Sequence, residues 1–577
     1  MPRSSRLVNS IAAAAVAALI TGCTAVGATS STTTTTSSAA DTGTPGVTVA
    51  EALAENSSSR PGSTEWDAAD AIQVTLSGSA TTASGAGVEV VGSTVTITSP
   101  GTYVLSGVLE GQVVVASAAE GHVRIVLAGA SIKSDTGAAI TVADADEAIV
   151  VLAEGTVNAL TSAASFADTT SEDAPNAALF SMADLTIGGA GSLTVTAPSL
   201  DGIASKDGLA ITGGQITVDA DDDGVRGKDH VDIAGGSLDV TAGGDGIKSD
   251  NDTEASSGWI AVSAGSLRLG ADGDGLVAST DVVISGGAIT GTTGGGAGAA
   301  LASDASAKGL KAGVNLVVGG GTITLDAADD AFHSDAVASI NDGAITLASG
   351  DDAVHAETSL SISGGSVTVT ESTEGMESAD IAISGGDTTI TSSDDALNVS
   401  NSDGATTVGG GGGMGGVIDG QVVVSGGTLV LESDGDGFDS NGDASITGGT
   451  VIVHGPTSNG NGALDVNGTF TISGGTLVAV GSAGMAETPD AASAQGWLQA
   501  SVTGRSGSTV QVLAGNTVLY EFEASKGFAN LVYSSEAVDA GAQYAVSVDG
   551  ATTTVTAGQA TAGGTAGGQG PGGRPGR

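Results

Sequence analysis

Cysteine, aromatic residues and basic residues are all scarce in this chain. Its 577 residues include 1 Cys, 3 Trp, 4 Tyr and 7 Phe. A single cysteine excludes an internal disulfide framework and a zinc site built from several thiolates. With 16 Lys and Arg against 65 Asp and Glu, the formal net charge is −49. This charge excludes nucleic-acid binding through a basic surface and disfavours docking on an anionic membrane.

Glycine and small aliphatic residues are abundant instead. The hydrophobic fraction of 40% is too high for a disordered acidic chain, so a core exists. With so few aromatic rings, that core must be built from Val, Ile, Leu and Ala. The 94 glycines follow no three-residue period, which indicates many tight turns rather than collagen.

The N-terminal segment that ends at Cys23 has the pattern of an export signal. Arg3 and Arg6 form a basic start, and the apolar stretch from Ile11 to Ile20 is too short to span a bilayer permanently. The small residues before Cys23 resemble a bacterial lipobox, which implies cleavage and a lipid on Cys23. We therefore predict an exported cell-envelope lipoprotein at the cell surface, held to the membrane only through Cys23; an ordinary secretory signal is the alternative.

Both flanks of the folded region have biased composition. Residues 24–64 are rich in Ser, Thr and Ala and predict a flexible linker. Residues 558–577 repeat Gly-Gly and predict a disordered tail. The folded part is therefore expected to lie between residue 65 and residue 557.

An internal repeat of about 22 residues dominates the folded part. Asp-Gly pairs at Asp201, Asp223 and Asp245 recur at this spacing, and Gly-Gly pairs such as Gly213-Gly214 and Gly235-Gly236 fall between them. Apolar residues alternate with a period of two between these turns, which indicates strands with one buried face. No segment sustains a helical period.

Three short strands per repeat predict one coil of a parallel β-helix, an all-β solenoid whose coils stack about 4.8 Å apart. A propeller or a sandwich fits the even period less well. We predict looser N-terminal coils over 65–200, regular coils over 201–496 and a small β cap over 497–557. Insertions around Asn251–Glu254, Gly294–Gly296 and Gly409–Gly416 are expected to project as loops.

Acidic residues recur at one corner of nearly every coil. Stacked carboxylates about 5 Å apart repel one another by roughly 0.8 kcal/mol in water, and by more where water is excluded. Ca²⁺, which accepts six to eight oxygen ligands, is the cofactor we predict there. A solvated acidic surface, with Asp chosen for turn geometry, is the alternative. The predicted metal ligands are Asp201, Asp207, Asp223, Asp229, Asp245, Asp250 and Asp252.

Basic residues lie beside these corners. Lys206 and Lys228 are one repeat apart and should stack, and Lys248 falls close to the same file. Such a ladder would let sugar carboxylates bridge metal and ammonium; intrachain pairing with neighbouring aspartates is the alternative. The predicted sugar-binding residues are Lys206, Arg226, Lys228, Lys248 and Trp259. His333 and His355 are also one repeat apart and should be neighbours, without the third ligand of a zinc site.

Three segments carry a family resemblance: Asp201-Gly-Ile-Ala-Ser-Lys206-Asp207, Asp223-Gly-Val-Arg-Gly-Lys228-Asp229 and Asp245-Gly-Ile-Lys248-Ser249-Asp250. Together with Gly101-Thr-Tyr-Val-Leu-Ser-Gly107 and the late Gly/Met insert, they resemble a family of exported bacterial carbohydrate-binding domain proteins. The resemblance implies a right-handed parallel β-helix, similar in fold to β-helical polysaccharide lyases. It also implies bound calcium and binding of acidic polysaccharide such as polygalacturonate. Ala331, Ala353 and Ala396 stand where the pattern has Gly.

Two functions from different classes follow. The first is non-catalytic binding of acidic polysaccharide by a monomer, with Ca²⁺ in the stacked Asp corners. The second is a calcium-dependent polysaccharide lyase of the same fold, in which Lys206, Lys228 or Lys248 would abstract a sugar proton. A purely structural surface spacer is a third possibility.

Overall fold

The computed structural model describes residues 43–167, 171, 173–303, 305–401, 416–560 and 565–566. The signal peptide with Cys23, the linker as far as residue 42 and most of the late Gly/Met insert and of the tail lie outside the described residues. Within them the chain is all-β, with one short helix, as the repeat predicts. No helix in this part of the chain is both long and apolar enough to cross a bilayer.

The strands stack into three parallel ladders, which we call A, B and C. One coil shows the order: strand Gln215–Ala220 belongs to ladder C, Val225–Gly227 to ladder A and His230–Ile233 to ladder B. Each strand pairs with its counterpart one coil later, so every coil adds one rung to each ladder. The parallel solenoid predicted from the repeat is confirmed; its handedness stays a prediction.

Ladder A follows the acidic corner and consists mostly of three-residue strands. Its strands are Thr94–Ile97, Gln112–Ala116, Ile140–Asp144, Ala177–Ser181, Asp201–Ser205, Val225–Gly227, Ile247–Ser249, Leu276–Ala278, Leu310–Ala312, Phe332–Ser334, Leu397–Val399, Phe438–Ser440 and Leu464–Val466. Two longer strands run from ladder A into ladder B: Val354–Ile362 and Met376–Ile383.

Ladders B and C form the other two sides. Ladder B contains Ile72–Ser77, Glu147–Leu152, Leu185–Gly189, Gly208–Ile211, His230–Ile233, Trp259–Val262, Val282–Ile284, Gln421–Val424, Asp443–Ile446 and Phe470–Ile472. Ladder C contains Val157–Thr161, Ser192–Ala197, Gln215–Ala220, Ser237–Ala242, Ser266–Ala271, Ala288–Thr293, Ser366–Glu371, Asp387–Ser392, Thr428–Ser433, Thr450–His454 and Thr476–Gly481. Four strands run through both: Gly101–Glu110, His122–Lys133, Asn315–Ala327 and Val337–Ser349.

Insertions change the sequence offset between rungs without breaking the ladders. Gln215 pairs with Ser237 one regular repeat later, whereas Ser237 pairs with Ser266 across a longer offset. The offset between Leu397 and Phe438, which also pair, is longer still. The extra residues after Asn251 and after Gly294 lie between strands, where loops were expected.

Small aliphatic side chains fill the interior. Strand Gln215–Ala220 alternates exposed and buried residues, and the inward Ile216 and Val218 meet Leu238 and Val240 of the next rung. The Gly-Gly corners close each coil. Gly236 has a φ of +86°, and a Cβ there would lie 2.9 Å from the carbonyl carbon of Gly213 on the preceding coil. Only glycine meets both conditions.

Residues 43–64 pack against the outer face of ladder B, although their composition predicted a flexible linker. The helix Val49–Glu55 begins with a capping box between Thr48 and Glu51. Its Ala52 is fully buried against Val283 and Val317. A composition rich in Ser and Thr therefore concealed a segment with its own helix signal and its own apolar contacts.

The C-terminal strands are antiparallel. Strand Asn530–Ser534 pairs with the last ladder C strand and with Trp497–Ala500. The strands Thr509–Ala514, Thr517–Glu523, Gln543–Val548 and Ala551–Thr556 form a separate four-stranded sheet over a second core. That they protect the solenoid end, as a cap would, stays a prediction. The remaining short strands are Thr82–Ala83, Val88–Val91, Glu487–Thr488 and Thr565–Ala566.

Candidate functional site

A file composed mostly of acidic residues follows the corner between ladders C and A, which we call the acid corner. The backbone carbonyl of each corner residue accepts a hydrogen bond from a backbone N–H of the preceding rung. The donor is the residue directly after the corner residue of that preceding rung. The aligned residues are Asp201, Asp223, Asp245, Asp274, Lys308, Asp330, Asp352, Glu374, Asp395, Asp436 and Gly462.

The corner carboxylates also connect neighbouring rungs. Oδ1 of Asp223 accepts a hydrogen bond from the backbone N–H of Asp245 at 2.9 Å, and Oδ1 of Asp245 accepts one from Asp274 at 2.9 Å. Asp330 accepts the N–H of Asp352 in the same way, at 3.1 Å. A buried backbone N–H needs such a partner. These aspartates therefore have a structural role that the turn signal alone did not reveal.

A second file lies on the outer face of ladder A, three residues after each corner residue; we call it the outer file. Each member within a three-residue strand stands between two buried neighbours, so its side chain points away from the core. Its members are Ala204, Arg226, Lys248, Val277, Lys311, His333, His355, Glu377, Asn398, Asp439 and Asp465. From Arg226 to His355 every member except Val277 is basic, and after His355 the members are acidic or neutral.

In the basic part, the bases neutralise the corner acids. Nζ of Lys248 lies 2.8 Å from Oδ2 of Asp245 and 3.3 Å from Oδ2 of Asp223. Burial opposes protonation of Lys248, but the hydrogen bond and the charge of Asp245, with those of Asp223, raise the pKa of Lys248. Lys248 was expected in the file of Lys206 and Lys228. It aligns instead with Arg226, because Lys248 follows Arg226, and not Lys228, by one regular repeat.

Histidines take the place of lysine on two further rungs. Nδ1 of His333 lies 2.8 Å from Asp330, and Nδ1 of His355 lies 3.0 Å from Asp352. The two rings are neighbours, as predicted, with centroids 5.0 Å apart. Burial opposes protonation of His355, but Asp352 and the other carboxylates around the ring raise its pKa to about 9.

Lys206 and Lys228 lie in a cavity of about 390 Å³ on the outer side of ladder A. Its other lining residues include Asn176, Met182, Arg226 and Asp250. Arg226 is held by Asp250, and its Nη1 lies 3.8 Å from Oδ2 of Asp201. Neither Lys206 nor Lys228 forms an ion pair with any described residue. Counting only the residues that the structure describes, the cavity thus contains one paired and two unpaired cationic groups.

Asp201, Asp222 and Asp223 bring carboxylate oxygens within 4.8 Å of one another beside this cavity. Asp201 is 2% exposed, and burial, with the charge of Asp223, raises its pKa to about 7. Nδ2 of Asn176 donates to Asp201 at 2.6 Å, while Oδ1 of Asn176 is buried without a hydrogen-bond partner in the described part of the chain. These oxygens suit a hard cation such as Ca²⁺. Asp222 and Asn176 were not among the predicted ligands.

The other predicted metal ligands do not join this group. Asp207 and Asp229 occupy the opposite corner, between ladders A and B, where Asp229 accepts a hydrogen bond from Nδ2 of Asn251 at 2.7 Å. Asp250 binds Arg226, and Asp252 is exposed in the loop that follows. The repeat places two acidic corners in each coil, and their residues lie on opposite sides of ladder A.

Trp259, a predicted sugar-binding residue, lies in ladder B instead. Its side chain is 3% exposed and stacks on His230 with ring centroids 4.7 Å apart. Its Nε1 donates to Oγ of Ser57, which belongs to the segment packed over ladder B. Trp259 therefore offers no exposed ring to a sugar in this arrangement.

The acidic part of the two files contains a cluster that the sequence interpretation did not single out. Asp436, Asp439 and Asp465 bring carboxylate oxygens within 4.8 Å of one another. Burial, with the charges of Asp395 and Asp465, raises the pKa of Asp439 to about 9. The signal was present in the sequence, because Asp439 and Asp465 stand where the earlier coils have Arg226 and Lys248.

A family model described as "carbohydrate-binding domain-containing protein" matches residues 91–353 and 351–563, which together cover most of the chain. The chain belongs to this carbohydrate-binding domain-containing protein family. The family expectation drawn from the Asp-Gly-Ile segments is confirmed.

Two relatives of this carbohydrate-binding domain-containing chain cover only parts of it. A carbohydrate-binding domain-containing protein of Acetivibrio thermocellus is 39% identical over 128 residues, 22% of this chain and 45% of the relative. The match therefore spans less than half of that relative's length. A solved polysaccharide lyase-like protein from C. thermocellum, in a gadolinium derivative, is 35% identical and has a TM-score of 0.38. The similarity covers 39% of this chain and 92% of that one.

Proposed function

We propose that this protein binds acidic polysaccharide, without cleaving it, in the cavity lined by Lys206 and Lys228. The observation that carries the proposal is that these two ammonium groups lie on adjacent rungs and have no ion-pair partner among the described residues. Sugar carboxylates are the complementary charge, and a polyuronate supplies them repeatedly along its length. Few exposed aromatic rings are needed for recognition of this kind.

Calcium at Asp201, Asp222 and Asp223 completes this proposal. The three carboxylates lie close enough to share one ion, and the same ion would accept a sugar carboxylate. Lys248 and Arg226 neutralise part of this charge already, at 3.3 Å from Asp223 and 3.8 Å from Asp201. We therefore expect a weak calcium site that strengthens when a uronate adds its own oxygens.

Binding to polygalacturonate, measured by calorimetry with and without Ca²⁺, tests the proposal. The double variant Lys206→Met/Lys228→Met removes the unpaired charges, so we expect about 30-fold weaker binding or more. The matched control, Lys133→Met/Lys526→Met, changes the net charge equally at residues outside the cavity. Equal losses in both double variants would refute the proposed site.

Asp222→Asn tests the calcium part separately. Asp222 is exposed, and no hydrogen bond of its side chain is found in the described part of the chain, so the substitution leaves the corner ladder intact. We expect the calcium-dependent gain in polysaccharide affinity to disappear while calcium-free binding persists. A gain as large as in the wild type would remove calcium from this site.

Polysaccharide cleavage is the second candidate, because Lys206 and Lys228 are also placed as proton acceptors. Lys248 is a poor base, since its raised pKa keeps it protonated. Lyase products absorb in the ultraviolet. We expect no rise in absorbance with polygalacturonate and Ca²⁺; a rise that Lys228→Met abolishes would replace binding by catalysis.

We propose the cell surface as the location, through a lipid on Cys23. The support is the lipobox-like segment before Cys23 in the sequence. Labelling with a lipid precursor in a bacterial host, compared with Cys23→Ser, tests it. Label that persists in the variant would refute the anchor.

A further inference from the structure

The C-terminal antiparallel sheet contacts the outer face of the last ladder C rungs through residues 522–526, which we call the latch. His454, the last residue of the strand Thr450–His454, lies under the latch. We propose that protonation of His454 releases the latch, so that this contact opens in acid. The switch uses none of the residues assigned to polysaccharide and does not depend on that function.

Polar contacts attach the latch to ladder C. Nζ of Lys526 donates to the backbone carbonyl oxygen of Ser433 at 2.6 Å and lies 2.8 Å from Oδ1 of Asp434. Oγ of Ser525 donates to Oε2 of Glu432 at 2.8 Å. The three acceptors lie on one ladder C strand or directly after it. The latch is therefore attached by these bonds to a single rung of the solenoid.

The latch is what buries His454. The side chain belongs to the outer face of ladder C, because the preceding residue, Val453, points into the core. The fifth residues of earlier ladder C strands, Asp219 and Thr241, are exposed. His454 is only 7% exposed, and its ring centroid lies 6.1 Å from that of Phe522 in the latch. Opening of the latch would therefore return the ring to water.

The closed latch offers little to a protonated ring. Nδ1 of His454 is buried without a hydrogen-bond partner in the described part of the chain, so a proton there would have no acceptor. Nε2 lies 3.9 Å from Oε1 of Glu432. Among the described residues, the charged groups that face the ring are Glu432 and, from the latch, Lys526; its register partner on the next rung is Val480. Burial lowers the pKa of His454; Glu432 opposes this shift, and Lys526 adds to it.

These contacts fix the direction of the pH dependence. In the open form the hydrated ring should titrate near the usual histidine pKa of about 6.5, whereas the closed form takes up the proton only at lower pH. The closed form is therefore most stable above about pH 6.5 and loses stability, relative to the open form, as the pH falls below that value. The change is at most about tenfold per pH unit. Carboxylates of ordinary pKa stay ionised down to about pH 5, so the interval above it isolates the histidine.

Cleavage after Lys526 by a lysine-specific protease measures opening, because Nζ of Lys526 must leave its acceptors to enter the protease. The full chain is digested at several pH values from about 7.5 to about 5, and each rate is divided by that of a free lysyl peptide in the same sample. We expect the wild-type ratio to rise about tenfold towards pH 5. His454→Gln cannot be protonated there and should change by less than about twofold. The control His122→Gln, which removes an exposed histidine paired with Glu147, should behave as the wild type does.

A second variant keeps the outcome decisive. His454→Met also lacks a titratable group, and it repeats the test if His454→Gln does not fold. A cleavage ratio of the wild type that stays constant over this pH interval would overturn the proposal. The same would follow if the ratio rose as steeply without the imidazole, in His454→Gln and in His454→Met, as with it.

Discussion

The solenoid carries the same acid corner along two stretches that neutralise it differently. From Asp223 to Asp352, the outer file supplies a base on most rungs, and its Lys248, His333 and His355 contact corner acids. Lys308, which stands in the corner file itself, contacts Asp330 of the next rung. From Glu374 to Asp465, the outer file offers Glu377, Asn398, Asp439 and Asp465 instead. The backbone ladders are the same in both stretches, so the difference lies in side chains alone.

The comparison separates two properties of the corner carboxylate: its role as a hydrogen-bond acceptor between rungs and its negative charge. In both stretches a carboxylate oxygen accepts the backbone N–H of the next rung, as Asp223 does at 2.9 Å and Asp395 at 2.6 Å. The acid is therefore part of how one coil is attached to the next. Its charge is a consequence of that role. In the first stretch bases pair with it, whereas in the second stretch the described members of the outer file include no base.

The change of charge coincides with a boundary of another kind. The two segments matched by the family model meet at residues 351–353, on the rung of Asp352 and His355. The paired stretch belongs to the first segment and the unpaired stretch to the second.

The largest effect on stability should follow from removing the ammonium group of Lys308, which forms ion pairs with acids of the first stretch. Its Nζ lies 2.9 Å from Asp329 and 2.8 Å from Asp330, and its side chain is 13% exposed. Lys308→Met leaves the buried Asp330 without this partner, so we expect a loss of about 3 kcal/mol in the free energy of unfolding. Urea denaturation measures it. Lys311→Met is the control, because Nζ of Lys311 lies 3.9 Å from Asp274 and should contribute about 0.5 kcal/mol or less. Equal losses would contradict the pairing argument.

A smaller effect is expected at the residue directly after the corner, which is Gly in some coils and Ala in others. Gly224 follows Asp223, and a Cβ there would lie 2.3 Å from Cγ1 of Val240 and 2.6 Å from the carbonyl oxygen of Gly246. We expect Gly224→Ala to destabilise the protein by about 2 kcal/mol through overpacking. Ala353→Gly, at the equivalent position of a coil that accepts alanine, should cost about 1 kcal/mol or less. An unchanged free energy of unfolding for Gly224→Ala in the same denaturation experiment would mean that position 224 has as much space for a Cβ as position 353.

The repeat predicted which residues stack wherever no insertion intervenes. His333 and His355 are neighbours because they are one repeat apart on adjacent rungs, and the same holds for Lys206 and Lys228. Lys248 was assigned to the wrong file, although the period itself aligns it with Arg226, one repeat earlier, and not with Lys228. In contrast, the period could not separate Asp207 and Asp229 from Asp201 and Asp223, because two corners of one coil repeat with the same spacing.

Other structural features could be predicted from the sequence, but the composition of the surrounding segment favoured a different interpretation. The Thr48–Glu51 capping box predicts the helix Val49–Glu55, yet the surrounding Ser and Thr favoured a linker. The replacement of bases by Asp439 and Asp465 was visible in the repeat. Burial of Trp259 was not, because it depends on Ser57, which lies far earlier in the chain.

The pH dependence of stability should show how the histidine rungs serve the paired stretch. The ring of His355 faces Asp352, Glu357, Glu377, Asp330 and His333. Its folded pKa, about 9, lies above the usual histidine value of about 6.5. The stabilisation is therefore complete below about pH 6.5 and is lost as the pH rises through 9.

We expect the free energy of unfolding of the wild type to fall relative to that of His355→Gln by about 1–2 kcal/mol between pH 6.5 and pH 9.5. His230→Gln is the control, because burial lowers the pKa of His230, the opposite direction to the shift of His355. A wild-type curve parallel to that of His355→Gln would show that the ring is not protonated beside Asp352.

The smallest effect concerns salt and returns to Lys206 and Lys228, which form no ion pair with any described residue. The binding of polygalacturonate that we propose there depends on half-buried charge that water still reaches, so raising salt from about 50 to about 200 mM should weaken it about threefold to tenfold. The double variant Lys206→Met/Lys228→Met should show a shallower dependence, whereas Lys133→Met/Lys526→Met should keep the wild-type slope. Because Lys248 and Lys308 are already held by corner acids, they contribute little to this slope. A steep dependence that survives the loss of both Lys206 and Lys228 would mean that the paired bases, rather than the unpaired ones, hold the polysaccharide.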